Sequence, residues 1–391
     1  MMCAPSCSWN KVHRNTLNKQ ASHKGNILLL HNKENVLIRD CEPNIDVADT
    51  PKTIKFDNHL SPKKLGLRIK NKTLVWAGIE NDIPITASFL LELVAWLPYL
   101  AAFFCMKVLT PSEKNKCPAI SFWPATPSPW YLLMGATAWG RIKIVKDRPS
   151  NAHRIYFDDV TQARDLLNVP HGAINGRCVD IRKSHVASVF ATVFGYTLTC
   201  DPTQQHGLVV EKPETNGTHA GRVITTPHKP VKNYVYQKLI DTTDDKNLCN
   251  DLRTPCIGGM PVLVWRKLKQ ASNRFAVYNQ SATLLNVNDV YSAHELDLIK
   301  QFNIAIGLEC GGLDILRDRD DGRIYIVDVN KTDIGPLIAL SWSDKMKSLK
   351  ILGAGLRSWL IKRDANFQTL STTQIEVSAA SESCGSANFN S

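Results

Sequence analysis

The sequence predicts an α/β protein in two parts, a small amino-terminal domain followed by a larger region of regularly spaced elements. Three observations carry this reading. Strand-like runs at residues 72–78 (KTLVWAG), 207–210, 222–225, 233–240 (NYVYQKLI) and 261–267 (PVLVWRK) are interspersed with runs of helical periodicity at 89–104, 184–194 (SHVASVFATVF) and 293–306. Apolar content of 43% and charged content of 21% are those of a soluble globular chain. At 391 residues the chain has room for more than one core.

Residues 1–50 are polar and basic without sustained periodicity and predict a disordered basic tail. Residues 51–150 predict the amino-terminal α/β domain. Within it, 86–105 (TASFLLELVAWLPYLAAFFC) is about as long as a membrane span needs to be. Glu92 and the helix-kinking Pro98 fall inside that stretch, which therefore predicts one or two buried helices, with membrane contact by residues 86–105 as the alternative. Residues 122–130 (FWPATPSPW) read as a Pro-rich connection, and 131–139 as a short apolar helix. The second domain spans 151–362. Its helix at 184–194 is ended by Gly195, a further strand is expected at 275–278, and a closing helix near 345–359. Residues 363–391, rich in Ser, Thr and Asn, predict a second disordered tail.

The net charge of +11 suits anionic ligands, nucleotides and phosphates among them. The eleven cysteines form no CxxC pair and no regular Cys/His spacing, which excludes a zinc or disulfide framework. Their odd number and the absence of an apolar run after Met-Met-Cys predict a cytoplasmic protein. No zinc finger, RNA-binding aromatic motif or helix-turn-helix pattern points to specific nucleic acid. Nothing bears on oligomeric state.

Residues 311–330 (GGLDILRDRDDGRIYIVDVN) are the most informative stretch. They read as a β-hairpin turning at Asp320-Asp321-Gly322, with Gly where positive φ is wanted. Arg319 then faces Arg323, and counting back sets Asp314 opposite Asp328, with Asn330 on the same face. Two carboxylates about 5 Å apart repel. Water or a neighbouring Lys would relieve this, and a hard cation such as Mg²⁺ relieves it better.

Other candidates are individually weaker. Lys212 ends a strand before a loop holding Gly217 and Gly221, where a polyphosphate is approachable by lysine and backbone amides. Lys183 opens a helix and reads either as a phosphate contact or as a surface lysine. Arg266, Lys267, Lys269 and Arg274 lie on or just after a strand, facing phosphates or forming a solvated basic edge.

Taken in order, Lys183, Lys212 with its glycine loop, the Gln237-Lys238-Leu239 strand, Arg266, Asp314 and Asp328-Val-Asn330 make a series that resembles the ATP-grasp superfamily over roughly residues 150–350. The resemblance implies two α/β subdomains clasping ATP. It implies that Lys183 and Lys212 bind phosphates, that Asn216 to Gly221 covers them, that Gln237, Lys238 and Leu239 bind adenine, and that Asp241 or Asp244 lies near the ribose. Asp314, Asp328 and Asn330 fall on the family's metal-binding pattern, for Mg²⁺ with Mn²⁺ as the substitute. The implied activity is an ATP-dependent ligation of a small-molecule carboxylate to an amine through an acylphosphate, with Arg266 or Arg274 stabilising the transferring phosphoryl group. Many such ligases carry Glu-x-Asn where this chain has Asp328-x-Asn330, which also resembles inositol phosphate kinases of this fold. The alternatives are therefore a kinase acting on a hydroxyl acceptor and a non-catalytic nucleotide-binding regulator.

Overall fold

The computed structural model describes residues 67–70, 73–76, 83–84, 87–109, 118–146, 152–163, 166–218, 220–276 and 279–385. The expected tail at 1–50 lies outside the described residues. The strands, in chain order, are β1 (Leu67–Lys70), β2 (Thr73–Trp76), β3 (Ile83–Pro84), β4 (Ala119–Pro124), β5 (Lys143–Ile144), β6 (His153–Phe157), β7 (Gly207–Pro213), β8 (Arg222–Thr226), β9 (Tyr234–Lys238), β10 (Leu248–Ile257), β11 (Met260–Pro261), β12 (Val264–Gln270), β13 (Ser281–Leu285), β14 (Cys310–Arg317) and β15 (Ile324–Asn330). The helices are α1 (Ala87–Leu109), α2 (Leu132–Trp139), α3 (Lys183–Phe194), α4 (Val287–Val290), α5 (Ala293–Ile306) and α6 (Trp342–Gly385).

Four sheets result: β1-β2-β3, the parallel β5-β4-β6, β8-β7-β9, and a central antiparallel sheet in the order β13-β12-β10-β14-β15 with β11 beside β10. The α/β class is as expected. Helix α5 begins with a capping box, Ser292 accepting from the Glu295 amide while Glu295 accepts from Ser292, and ends at left-handed Gly307 (φ 80°). Its inner face (Ile299, Phe302, Ile306) packs with Val186 and Phe190 of α3 against Leu313, Ile315 and Val329 of the central sheet. Part of the sheet's other face, around Ile257 and Trp265, is covered by α2 and α6 through Leu132, Leu349, Leu352 and Leu356. Buried Asn175 braces the site from behind, its side chain accepting from the amides of Glu309 and Cys310 at the start of β14 (2.8 Å each).

Several expectations are corrected. Strand β6 (His153–Phe157) pairs with β4, so the sheet of the expected amino-terminal domain takes in residues beyond 150. The stretch 122–130 is not wholly a connection, since β4 continues to Pro124. Residues 87–105 of the apolar stretch lie within one helix, with Pro98 inside it. Among its described side chains Tyr99 and Phe103 are buried, while Leu97, Phe104 and Val108 are exposed. Among the described residues no helix is long and apolar enough to cross a membrane. The expected strand at 275–278 lies partly outside the described residues, and the edge strand is β13. Helix α6 continues to Gly385 where a disordered tail was expected from 363, because neither Pro nor Gly interrupts the chain between Gly355 and Gly385.

Strand β10, the central strand at ten residues, has no counterpart among the expected elements. Its polar residues Asn250, Asp251 and Arg253 and its internal Pro255 both argue against a central strand on sequence alone.

Candidate active site

Alternation along the central sheet gathers one face of charge. Residues directly opposite in antiparallel strands share a face. The pairs Asp251–Lys267, Cys249–Lys269, Arg253–Asp314, Asp314–Asp328 and Gly312–Asn330 therefore put Asp251, Arg253, Lys267, Lys269, Asp314, Asp328 and Asn330 together. The opposite face, with Leu252, Cys256, Val264, Leu313 and Val329, is core.

Asp314 and Asp328 are partners as expected, although the turn is one residue different. The last ladder pair is Arg317–Ile324, and Asp318 donates its amide to the Arg323 carbonyl (2.9 Å), so Asp318 rather than Arg319 faces Arg323. A β-bulge between Asp314 and Ile315 leaves Val327 unpaired and restores the register. Gly322 has the expected positive φ (72°).

Both Asp314 oxygens hold protein cations. Lys267 Nζ donates to Oδ1 (2.7 Å), and Arg253 Nη1 donates to Oδ2 (2.6 Å). Asn330 Nδ2 lies 3.5 Å from the same Oδ2. Although burial opposes ionisation, Arg253 and Lys267 hold the Asp314 carboxyl well below the usual range. Arg253 also donates from Nε (3.1 Å) and Nη2 (2.7 Å) to Oδ1 of buried Asp333. Burial outweighs this contact and raises the Asp333 pKa. Lys267 and Lys269 lie 3.9 and 3.5 Å from Asp251 Oδ2.

The phosphate candidates converge on this face. Lys183, at the start of α3 and 6% exposed, donates from Nζ to the Thr215 carbonyl (3.1 Å). Glu214 accepts from the Ser184 amide at the same helix terminus (3.0 Å), where a carboxylate is favoured by the helix dipole. Asn216 donates from Nδ2 to the Val329 carbonyl, between Asp328 and Asn330 (3.2 Å), and from its amide to Thr161 Oγ1 (2.9 Å). The glycine loop is thus fastened over the strand that carries the metal candidates. Gly217 has φ 72°, and a Cβ at Gly221 would meet the Phe275 ring. Burial lowers the Lys212 ammonium to about 8, with Asp328 opposing and Lys183 reinforcing the shift. A half-buried ammonium that makes no ion pair among the described residues, beside carboxylates and other cations, marks a candidate site for a polyanion.

The adenine and ribose candidates are only partly brought together. Lys238 and Leu239 line a 240 Å³ cavity with Leu208, Val209, Ile240 and Tyr325. Gln237 does not line it: this residue is 1% exposed and its backbone pairs with Val210. Asp241 accepts from the Thr243 amide and hydroxyl, and Asp244 from the amides of Lys246 and Leu248 (2.9 Å each). Both carboxylates therefore serve turns first.

The two arginines expected at the phosphoryl group make no contact with Asp314, Asp328 or Asn330 among the described residues. Arg266 pairs with Leu252 and is exposed on the face away from Asp314. Arg274 donates to the Ile240 carbonyl (2.8 Å), at the expected hinge. Period-two alternation puts Arg266 and Lys267 on opposite faces, and it is Lys267 that points inward. The sequence reading also missed Arg253, Asp333 and Lys331. Lys331 is 2% exposed, with Nζ lying 5.2 Å from the Tyr156 ring centroid.

The donor set suits Mg²⁺. Asp328 makes no ion pair among the described residues and accepts only from the Val329 amide (3.1 Å), while Asn330, with Nδ2 turned to Asp314, keeps Oδ1 for a cation. Asp314, whose oxygens already accept from Lys267 and Arg253, would be the third ligand.

No family model matches the chain, and no curated relative matches it. Comparison of solved structures finds similarity to an ATP-grasp ligase, PsnB, complexed with minimal precursor, Mg and ADP (TM-score 0.42, 11% identity, covering 64% of this chain and 99% of that one). The chain is also similar to D-alanine–D-alanine ligase from Bacillus anthracis (0.40, 11%, 65% and 100%) and L-amino acid ligase from Bacillus licheniformis (0.37, 14%, 64% and 75%).

Proposed function

We propose that the chain is an ATP- and Mg²⁺-dependent ligase of ATP-grasp type, joining a carboxylate to an amine through an acylphosphate. The observation that carries the reading is the closure of the Lys212 loop over the Asp328–Asn330 strand by the Asn216 contact to Val329 (3.2 Å), with Lys183 held at the same loop. Lys238 and Leu239 offer an edge of the 240 Å³ cavity to the adenine, with Asp241 or Asp244 toward the ribose. The triphosphate then runs toward Lys212 and Lys183.

Asp328 and Asn330, joined by Asp314, would hold Mg²⁺, which supplies charge neutralisation to the β- and γ-phosphates. The substrate carboxylate attacks the γ-phosphorus, ADP leaves, and the amine displaces phosphate from the acyl carbon. Positioning and electrostatics do the chemical work, and no protein nucleophile is required. Arg253 and Lys267, which both contact Asp314, would meet charge developing on the transferring group in place of Arg266 and Arg274.

The test is product analysis with ATP and panels of carboxylates, amines and hydroxyl compounds. Acceptor-dependent release of free phosphate with a condensed product supports the ligase. A phosphorylated acceptor without free phosphate identifies a kinase instead. Nucleotide binding without turnover of any acceptor favours a regulator.

A further inference from the structure

Asp314 is the residue that a metal would claim, yet each of its oxygens is held by a protein cation at 2.6–2.7 Å. The two cations differ in what they do next. Arg253 has a second carboxylate, Asp333, held through two further N–H groups, and keeps an anionic partner if Asp314 turns away. Lys267 is 3.9 Å from Asp251 and has the same fallback. Both stand on the sheet face over which the loop after Lys212, carrying Asn216, is fastened. Beside Asp314, Asp328 makes no ion pair among the described residues, although Lys212 and Arg253 lie near enough to feel its charge. One carboxylate of the facing pair is thus neutralised by protein and the other is left open.

We propose that Asp314 is the hub of an ion-pair exchange: Arg253 and Lys267 occupy its oxygens in the nucleotide-free chain, and when a nucleotide brings its divalent cation, Asp314 passes to the metal while Arg253 and Lys267 turn to the phosphates. This rests on the ATP-grasp reading and deepens it. The exchange conserves charge pairing at every group, because the incoming complex supplies one cation for Asp314 and several anionic oxygens for the two side chains released. It also makes metal entry conditional on nucleotide. A free divalent ion approaching Asp314 meets the positive charges of Arg253 and Lys267 with no phosphate to draw either away, in a largely buried setting where that repulsion is strong.

The test is Mn²⁺ binding to the full-length chain, followed by electron paramagnetic resonance of the bound ion, without nucleotide and with saturating ADP. Lys267→Met frees one Asp314 oxygen and is expected to raise nucleotide-free Mn²⁺ affinity by about tenfold or more. Circular dichroism checks that this variant is folded. With ADP present, Asp314→Asn and Asp328→Asn should each lose the protein-bound Mn²⁺ signal. Unchanged nucleotide-free affinity in folded Lys267→Met overturns the exchange. So does wild-type chain that binds Mn²⁺ equally well with and without ADP, a comparison that needs no variant to fold. If Asp328→Asn loses the ADP-dependent signal and Asp314→Asn keeps it, the exchange is overturned while the ATP-grasp reading stands. If neither variant loses it, the metal lies elsewhere and both fail.

Discussion

The Asp333 carboxylate packs against Gly312 so closely that a Cβ at residue 312 would overlap Oδ2. Gly312 has no positive φ to require glycine, so the requirement comes from this approach alone. It lets a carboxylate from the segment after β15 reach across β14 to Arg253. Gly312→Ala is expected to push Asp333 away, leave Arg253 with one partner and cost about 1–3 kcal/mol of stability. Chemical denaturation checks this, and a wild-type midpoint would show that the carboxylate has room to shift.

Asp328→Asn removes one charge at nearly constant volume from a residue that makes no ion pair among the described residues. The fold should be retained, with Mg²⁺-dependent turnover lost. Near-normal activity in a folded variant would remove Asp328 from the metal site.

Lys212 links binding to pH. Its pKa falls from 10.5 to about 8 on folding. Between those values the unfolded chain holds more protons, so this group's contribution to stability rises with pH across the window, and its penalty is complete below about 8. A polyphosphate favours the charged ammonium. Nucleotide binding near pH 8.5 should therefore take up protons, and affinity should decline as pH rises further. Calorimetry in buffers of different ionisation enthalpy measures the uptake. Zero uptake together with unchanged affinity in Lys212→Ala would exclude this lysine from the site.

Arg266→Ala should change stability by no more than about 0.5 kcal/mol and leave turnover intact, because Arg266 is exposed on the face away from Asp314. A large loss of activity in this variant would mean that the sheet presents its other face to the nucleotide.

The hairpin was legible because it is local. Alternation and one glycine sufficed to pair Asp314 with Asp328, and the one-residue displacement of the turn is cancelled by the bulge at Val327. Helices α3 and α5 were legible from periodicity, and α3 also from Gly195 as its stop. Strand β10 was not, because a strand with a charged functional face and an internal Pro255 looks like a loop until its neighbours are known. Missing it hid Arg253, whose role exists only through cross-strand pairing with Asp314. The choice of Arg266 over Lys267 was a face error of one residue. Asp333 and Lys331 gave no sequence signal, since their burial depends on Gly312 and Tyr156, distant in the chain.

Thermal unfolding with a non-hydrolysable ATP analogue, in Mg²⁺ and in a chelator, tests the central claim most directly. Ligand at 100 times its dissociation constant should stabilise the folded chain by about 2.7 kcal/mol. A rise in Tm that requires both nucleotide and Mg²⁺, and that is lost in Asp328→Asn, is the predicted result. No shift at millimolar nucleotide with Mg²⁺ present would contradict it.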